Sequence, residues 1–156
     1  MNEQLDKQLC EKYPKIFANR YKPMTETAMC WGFECGDGWY NIIDRLCANI
    51  QHHIDWSHKG KEFDIKWNEA NPNKQRPVKE PVNQVIAAQV KEKFGTLRFY
   101  YDGGDDYIRG LTSMAESMSA YTCEKCGDAG KIRGMGWLYT ACDKHTDPDD
   151  LDTEDE

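Results

Sequence analysis

The chain has 156 residues, a formal net charge of -7 and 12% aromatic side chains. That length suits one domain with at most a small appendage, and the aromatic content excludes a globally disordered chain. No apolar run approaches the roughly 18 residues of a membrane-spanning helix, and the polar start "MNEQLDKQLCEKY" has no signal-peptide core, so a cytoplasmic protein is expected.

At the N-terminus, Leu5, Leu9, Cys10 and Tyr13 fall near helical spacing, Pro14 interrupts, and Ile16 and Phe17 continue the apolar stripe. A connector follows, ending in Gly36-Asp37-Gly38. The clearest helical period in the chain comes next: Trp39, Ile42, Ile43, Leu46, Cys47, Ile50 and Ile54 recur at i, i+3, i+4 and i+7. Asp37 is the expected N-cap of that helix. Trp31 and Trp39 bracket Gly32, Gly36 and Gly38 in a segment that either closes the core edge or lines a ligand pocket.

Residues 57–83 contain Pro72, Pro77 and Pro81 and few aliphatics, and read as a long surface loop with a short strand at "EFDIKW". A β-hairpin is expected over "QVIAAQVKEKFGTLRFYYDGG", with a loop longer than two residues near Gly95. Its second strand sets Leu97, Phe99 and Tyr101 on one face and Arg98 and Tyr100 on the other. The next helix is expected to start at Asp105 or Asp106 and to bury Tyr107, Leu111, Met114, Met118 and Tyr121. In "YYDGGDDY" the acidic residues read as helix caps after a Gly-Gly turn, not as catalytic carboxylates.

The strongest chemical signal is in residues 123–145. Cys123 and Cys126 form C-x2-C, Cys142 and His145 form C-x2-H, and fifteen residues separate the pairs. Zinc prefers a tetrahedral shell of thiolate and imidazole, and C-x2-C presents two sulfurs from one turn. With "KIRGMGWLYTAC" between them as a hairpin, the four residues predict a structural Zn2+ ribbon. Four protein ligands leave no coordination position for water, so catalytic zinc is disfavoured. Cys10, Cys30, Cys35 and Cys47, with His52, His53 and His58, match no familiar metal spacing; core thiols and surface histidines are expected, with a second metal site as the sharper alternative.

The last eleven residues carry seven acidic and no basic side chains, which leaves twenty of each sign in residues 1–145. The body is therefore neutral, and residues 146–156 read as an acidic disordered tail. Within the body, residues 57–98 hold nine Lys or Arg against five Asp or Glu. Lys91, Lys93, Arg98 and Arg109, with Tyr100 as a stacking ring, make a candidate site for an anionic, nucleotide-like small molecule. A solvated strand face with cross-strand charge pairs is the plainer reading of the same residues.

These elements predict an α+β fold: a small antiparallel sheet packed by two or three helices, with a C-terminal zinc ribbon. Residues 1–121 form the α+β domain and residues 122–145 the ribbon, packed on the preceding helix. The blocks "CWGFECGDGWYNIIDRLC" and "VKEKFGTLRFYYDGGDDY", followed by a helix and the ribbon, resemble a small-protein family of tailed phages and prophages. The resemblance implies no activity. It implies a setting, an accessory protein made in an infected bacterium and acting there in host takeover or anti-defence. Three functions follow as expectations: sequestration of the anionic ligand, inhibition of a host protein through the ribbon hairpin and acidic tail, and zinc-ribbon nucleic-acid binding. The neutral body disfavours the last.

Overall fold

Three helices and a three-stranded sheet form the body in the computed structural model, which describes residues 1–151. Helix α1 (Glu3–Lys12) starts at Asn2, whose side chain accepts the Leu5 amide at 3.0 Å. It ends before Pro14, and Leu9, Ile16 and Phe17 enter the core. Strand β1 (Phe33–Glu34) runs parallel to β2 (Ile86–Lys93), which pairs antiparallel with β3 (Thr96–Asp102) in the order β1-β2-β3. The fold is α+β as expected, but β1 makes the sheet mixed rather than purely antiparallel.

Helix α2 (Tyr40–Ala70) carries Ile43, Leu46, Cys47, Ile50 and Ile54 into the core. Asp37 does not cap it. A short 3-10 turn (Asp37–Trp39) precedes the helix, and the Asp37 carboxylate accepts the Asn2 backbone and side-chain N–H groups at 2.7 and 2.8 Å. Nor do residues 57–83 form one loop, because the helix continues to Ala70. All three prolines of that stretch lie beyond it, at 72, 77 and 81, and a residue before proline leaves helical geometry. The distal half of α2, outside the core, is held by the returning chain. Arg76 stacks 3.9 Å from the Trp67 ring centroid, the Asn68 side chain accepts the Arg76 amide at 2.7 Å, and Lys61 pairs with Glu80 at 2.9 Å.

Helix α3 (Asp106–Ser119) is capped by Asp105, which accepts the Ile108 amide at 3.0 Å and meets His53 Nε2 at 2.8 Å. Its buried face differs from the bulky stripe expected. Ile108, Thr112, Ala115 and Ser119 face inward, while Tyr107, Met114, Met118 and Tyr121 are exposed. The reason is the edge of the sheet. β3 has no strand on its outer side, and an edge leaves backbone N–H groups that must find acceptors. Ser119 Oγ accepts the Leu97 amide at 2.8 Å and Glu116 Oε1 accepts the Phe99 amide at 2.9 Å. Small side chains let the helix lie close enough to do this.

Buried Cys10, Cys35 and Cys47 are core thiols. Burial, with Asp6 beside it, pushes Cys10 up to about 12, and burial pushes Cys35 up to about 12. Among the described residues no helix is long and apolar enough to cross a membrane.

Candidate metal centre and adjoining groove

After α3 the chain turns at once into a two-stranded ribbon, β4 (Lys131–Arg133) paired antiparallel with β5 (Tyr139–Ala141). The first knuckle is closed by the Gly127 amide donating to Cys123 O and the Cys123 amide donating to Asp128 O, both at 2.8 Å. Gly127 adopts φ +83, a left-handed conformation that favours glycine. The second knuckle is a 3-10 turn (Asp143–His145), in which the His145 amide donates to Cys142 O at 3.0 Å. β5 brings the two together.

The ligand atoms of Cys123, Cys126, Cys142 and His145 all lie within 4.8 Å of one another, so this cluster can hold a metal ion. Cys126 Sγ is 3.7 Å from Cys142 Sγ, and His145 Nδ1 is 3.5 Å from Cys123 Sγ and 3.3 Å from Cys142 Sγ. Burial raises the Cys123 pKa, but the amides of Cys142, Cys126 and Lys125 point at its sulfur, outweigh burial and hold it below the ordinary thiol range. No other group of three or more His, Cys, Asp or Glu among the described residues comes together in this way.

The glycine-rich segment before α2 is the seat of this knuckle. The Gly38 amide donates to Glu124 O at 2.7 Å, the Gly36 amide to Glu124 Oε1 at 2.8 Å, and buried Trp39 gives its indole N–H to Thr122 O at 2.8 Å. A Cβ on Gly38 would overlap Cys123 O and the Gly127 amide nitrogen. Of the two readings of this segment, the core-edge one fits Trp39, which is fully buried, but not Trp31, which is exposed.

The ribbon also meets the β2–β3 hairpin. Buried Thr140 donates its hydroxyl to Gly95 O at the hairpin tip, and a Cβ on Gly95 would press on the Tyr139 amide nitrogen at 3.2 Å. The hairpin loop is shorter than expected. Lys93 pairs with Thr96, so only Phe94 and Gly95 turn, with φ of 53 and 79. Positive φ at both positions marks a type I′ turn, whose strong preference is Asn-Gly.

Between hairpin and ribbon lies a groove of about 860 Å³, lined by Lys91, Glu92, Lys93, Phe94 and Tyr100 on one side and Met135 and Trp137 on the other. Of the five candidate anion-site residues, Lys91, Lys93 and Tyr100 come together here. Arg98 lies back along its own strand, donating to Thr96 Oγ1 at 2.6 Å and Leu97 O at 2.8 Å. Arg109 pairs with Asp106 on α3 at 2.9 Å, outside the groove. Phe94 was missed as a site residue, though an aromatic before the turn glycine of a hairpin was a legible oddity.

The segment expected as an acidic disordered tail begins in order. Thr146 is buried and donates to Cys142 O at 2.8 Å, Tyr139 donates its hydroxyl to Asp150 at 2.7 Å, and Pro148–Asp150 forms a 3-10 turn. Residues 152–156 lie outside the described residues. Comparison with protein-family models, with curated proteins and with solved structures finds no match, so any account of function rests on this geometry.

Proposed function

We propose that the protein is a non-catalytic phage accessory protein that sequesters an anionic, nucleotide-like small molecule in the groove between hairpin and ribbon, with a structural zinc ion holding the ribbon in place. The phage setting rests on the sequence resemblance, and with it a cytoplasmic site of action in the host. The binding reading rests on the composition of the groove. Two ammonium groups, from Lys91 and Lys93, outnumber the one carboxylate, Glu92, which accepts the Gly95 amide at 2.6 Å, and stand with three exposed aromatic rings, Phe94, Tyr100 and Trp137. Ammonium groups attract phosphate, and exposed rings stack on bases whatever their sequence.

Phe94 is the observation that carries this reading. A bulky residue at positive φ is unfavourable, costing roughly 1–2 kcal/mol relative to an ordinary conformation, and Phe94 gains little burial in return. Departures from local rules without a structural gain are where function is expected. In this reading the ring is kept at the turn because the ligand stacks on it.

Zinc is supported by the donor set and its spacing. A tetrahedron with Zn–S of about 2.3 Å and Zn–N of about 2.0–2.1 Å has edges of about 3.8 Å between sulfurs and about 3.5 Å between sulfur and nitrogen. The observed 3.7, 3.5 and 3.3 Å fit those edges. All four positions are filled by protein, which leaves the ion a structural part. Inductively coupled plasma mass spectrometry of freshly purified protein should find one zinc per chain, and Cys126→Ser should abolish it.

Native mass spectrometry of protein taken from infected cells, joined to a thermal-shift panel of nucleotides, tests the binding. A bound nucleotide-class mass and a matching stabilisation are expected. Neither appearing would remove the proposal. A second reading, inhibition of a host protein by the ribbon tip, is favoured by Met135 and Trp137, 92% and 80% exposed. Co-purification of one host protein, lost in Trp137→Ala and unaffected by Lys91→Ala, would select it.

A further inference from the structure

A regular stripe of large side chains on α3 faces outward. Along α3 and the turn after it, Tyr107, Leu111, Met114, Met118 and Tyr121 recur at alternating spacings of four and three, the seam of a helix that packs against another helix. Tyr107, Met114, Met118 and Tyr121 are 55%, 63%, 52% and 73% exposed. Beside the stripe is an apolar depression of about 290 Å³ shared with α2, lined by Ile42, Leu46, Leu111, Met114 and Met118, with Arg45 the one charged group in its lining.

We propose that this face is an isologous homodimer interface, in which α3 packs antiparallel against α3 of a second copy. Three observations select a second copy over a foreign partner. First, the stripe reads nearly the same in both directions: Tyr, Leu, Met, Met, Tyr. A two-fold axis near Met114 sets Tyr107 against Tyr121 of the second copy and Leu111 against Met118 of the second copy. An isologous contact requires this kind of self-complementarity.

Second, the residues flanking the stripe on its other side are Asp106, Gly110, Ser113 and Ser117; the last three are exposed and uncharged, and Asp106 at the helix start is paired with Arg109. A foreign partner would find few charges here to read. Two copies of the face meet without repulsion, and the Arg45 guanidinium can lie over a tyrosine ring without a counter-charge. Third, Gly110 sits inside a helix, where glycine is a poor choice relative to alanine. Nothing in its own chain lies within 4 Å of where its Cβ would be. An approaching backbone from outside the chain accounts for a glycine that the chain itself does not need.

At roughly 200 Å² for a large side chain, the four exposed members of the stripe offer about 500 Å² per copy, so a pair buries at most about 1,000 Å², which suits a weak, reversible dimer.

Sedimentation velocity of the full-length, metal-loaded protein from about 1 to about 100 μM tests this by mass action. A reversible dimer of twice the 18.1 kDa chain mass is expected. Met114→Glu sets two carboxylates against each other at the axis, with Arg45 the one nearby cation, and should weaken dimerisation by about 10-fold or more. Its far-ultraviolet dichroism should stay unchanged, since the side chain is mostly exposed. Should that variant misfold, Ser117→Glu on the same face serves instead. Phe63→Glu, on the distal half of α2, should leave the dimer intact. A wild-type protein that stays monomeric throughout, a Met114→Glu dimer of unchanged affinity, or a monomer that pairs only with another protein's helix would overturn the assignment.

Discussion

Gly38 shows why a motif can matter without touching a ligand. Its missing side chain leaves room for the backbone of the first metal knuckle, which takes its amide hydrogen bond in the same place. Gly38→Ala should therefore lower stability by about 2 kcal/mol, the usual cost of overpacking a close contact, and should loosen metal binding as well. Chemical denaturation with a competing chelator would measure both. Asp44 is a second residue whose role lies in support. Burial raises its pKa, but hydrogen bonds from Lys12 at 2.6 Å and Tyr13 at 2.7 Å outweigh burial and hold it below its ordinary 3.8. A carboxylate whose pKa is depressed in the folded state stabilises the protein above its unfolded value, and that contribution is lost as pH falls through the folded value. Asp44→Asn should thus destabilise the protein at neutral pH and flatten the loss of stability below about pH 4. Melting temperatures measured from pH 7 to pH 2 would show whether the two curves converge.

At the scale of elements, what the sequence made legible was what depends on neighbours in the chain. The Cys/His cluster that can hold a metal was readable because each pair is set by a single turn, and the core half of α2 because its apolar period is unbroken up to Ile54. Beyond Ile54 the same helix has no buried apolar stripe, its Trp56, Phe63 and Ile65 are exposed, and its support comes from Arg76 and Glu80, which fold back onto Trp67, Asn68 and Lys61 in an arrangement with no periodic signature. For α3 the period was right and the face was wrong. A bulky stripe is the obvious candidate for burial, but the free edge of β3 needed acceptors and close approach, which Ser119 and Glu116 provide. The groove proposed to take an anion was half legible. Lys91, Lys93 and Tyr100 share a strand pair, while Trp137 reaches the same groove only because Thr140 locks the ribbon to the hairpin tip. The turn in that hairpin gives a prediction of its own. Phe94→Asn should raise stability by about 1 kcal/mol, because asparagine tolerates the left-handed conformation, and should weaken ligand binding at the same time. Greater stability with unchanged binding would separate the turn from the groove.

For the whole molecule, the metal centre links the two parts of the site. The body has its own apolar core, from Leu9 to Ile108, whereas buried apolar residues in the ribbon amount to Cys123, Ala141 and Cys142. A segment with so little burial cannot offset its ordering entropy without the ion. Chelation should then melt residues 122–151 and leave the body folded. In amide hydrogen exchange, protection should vanish from β4 and β5 and persist in α2 and β2. It should also remove one wall of the groove, so ligand binding and metal content should fall together. The most direct test of the account is a nuclear magnetic resonance titration of the zinc-loaded protein with nucleoside mono- and polyphosphates, read at the Trp137 indole and the amides of residues 89–100. Saturable shifts at both places, absent from a Lys91→Ala/Lys93→Ala variant that melts like the wild type, are the expected result. Resonances that stay unmoved across the series, or a double variant that binds as tightly as the wild type, would contradict it.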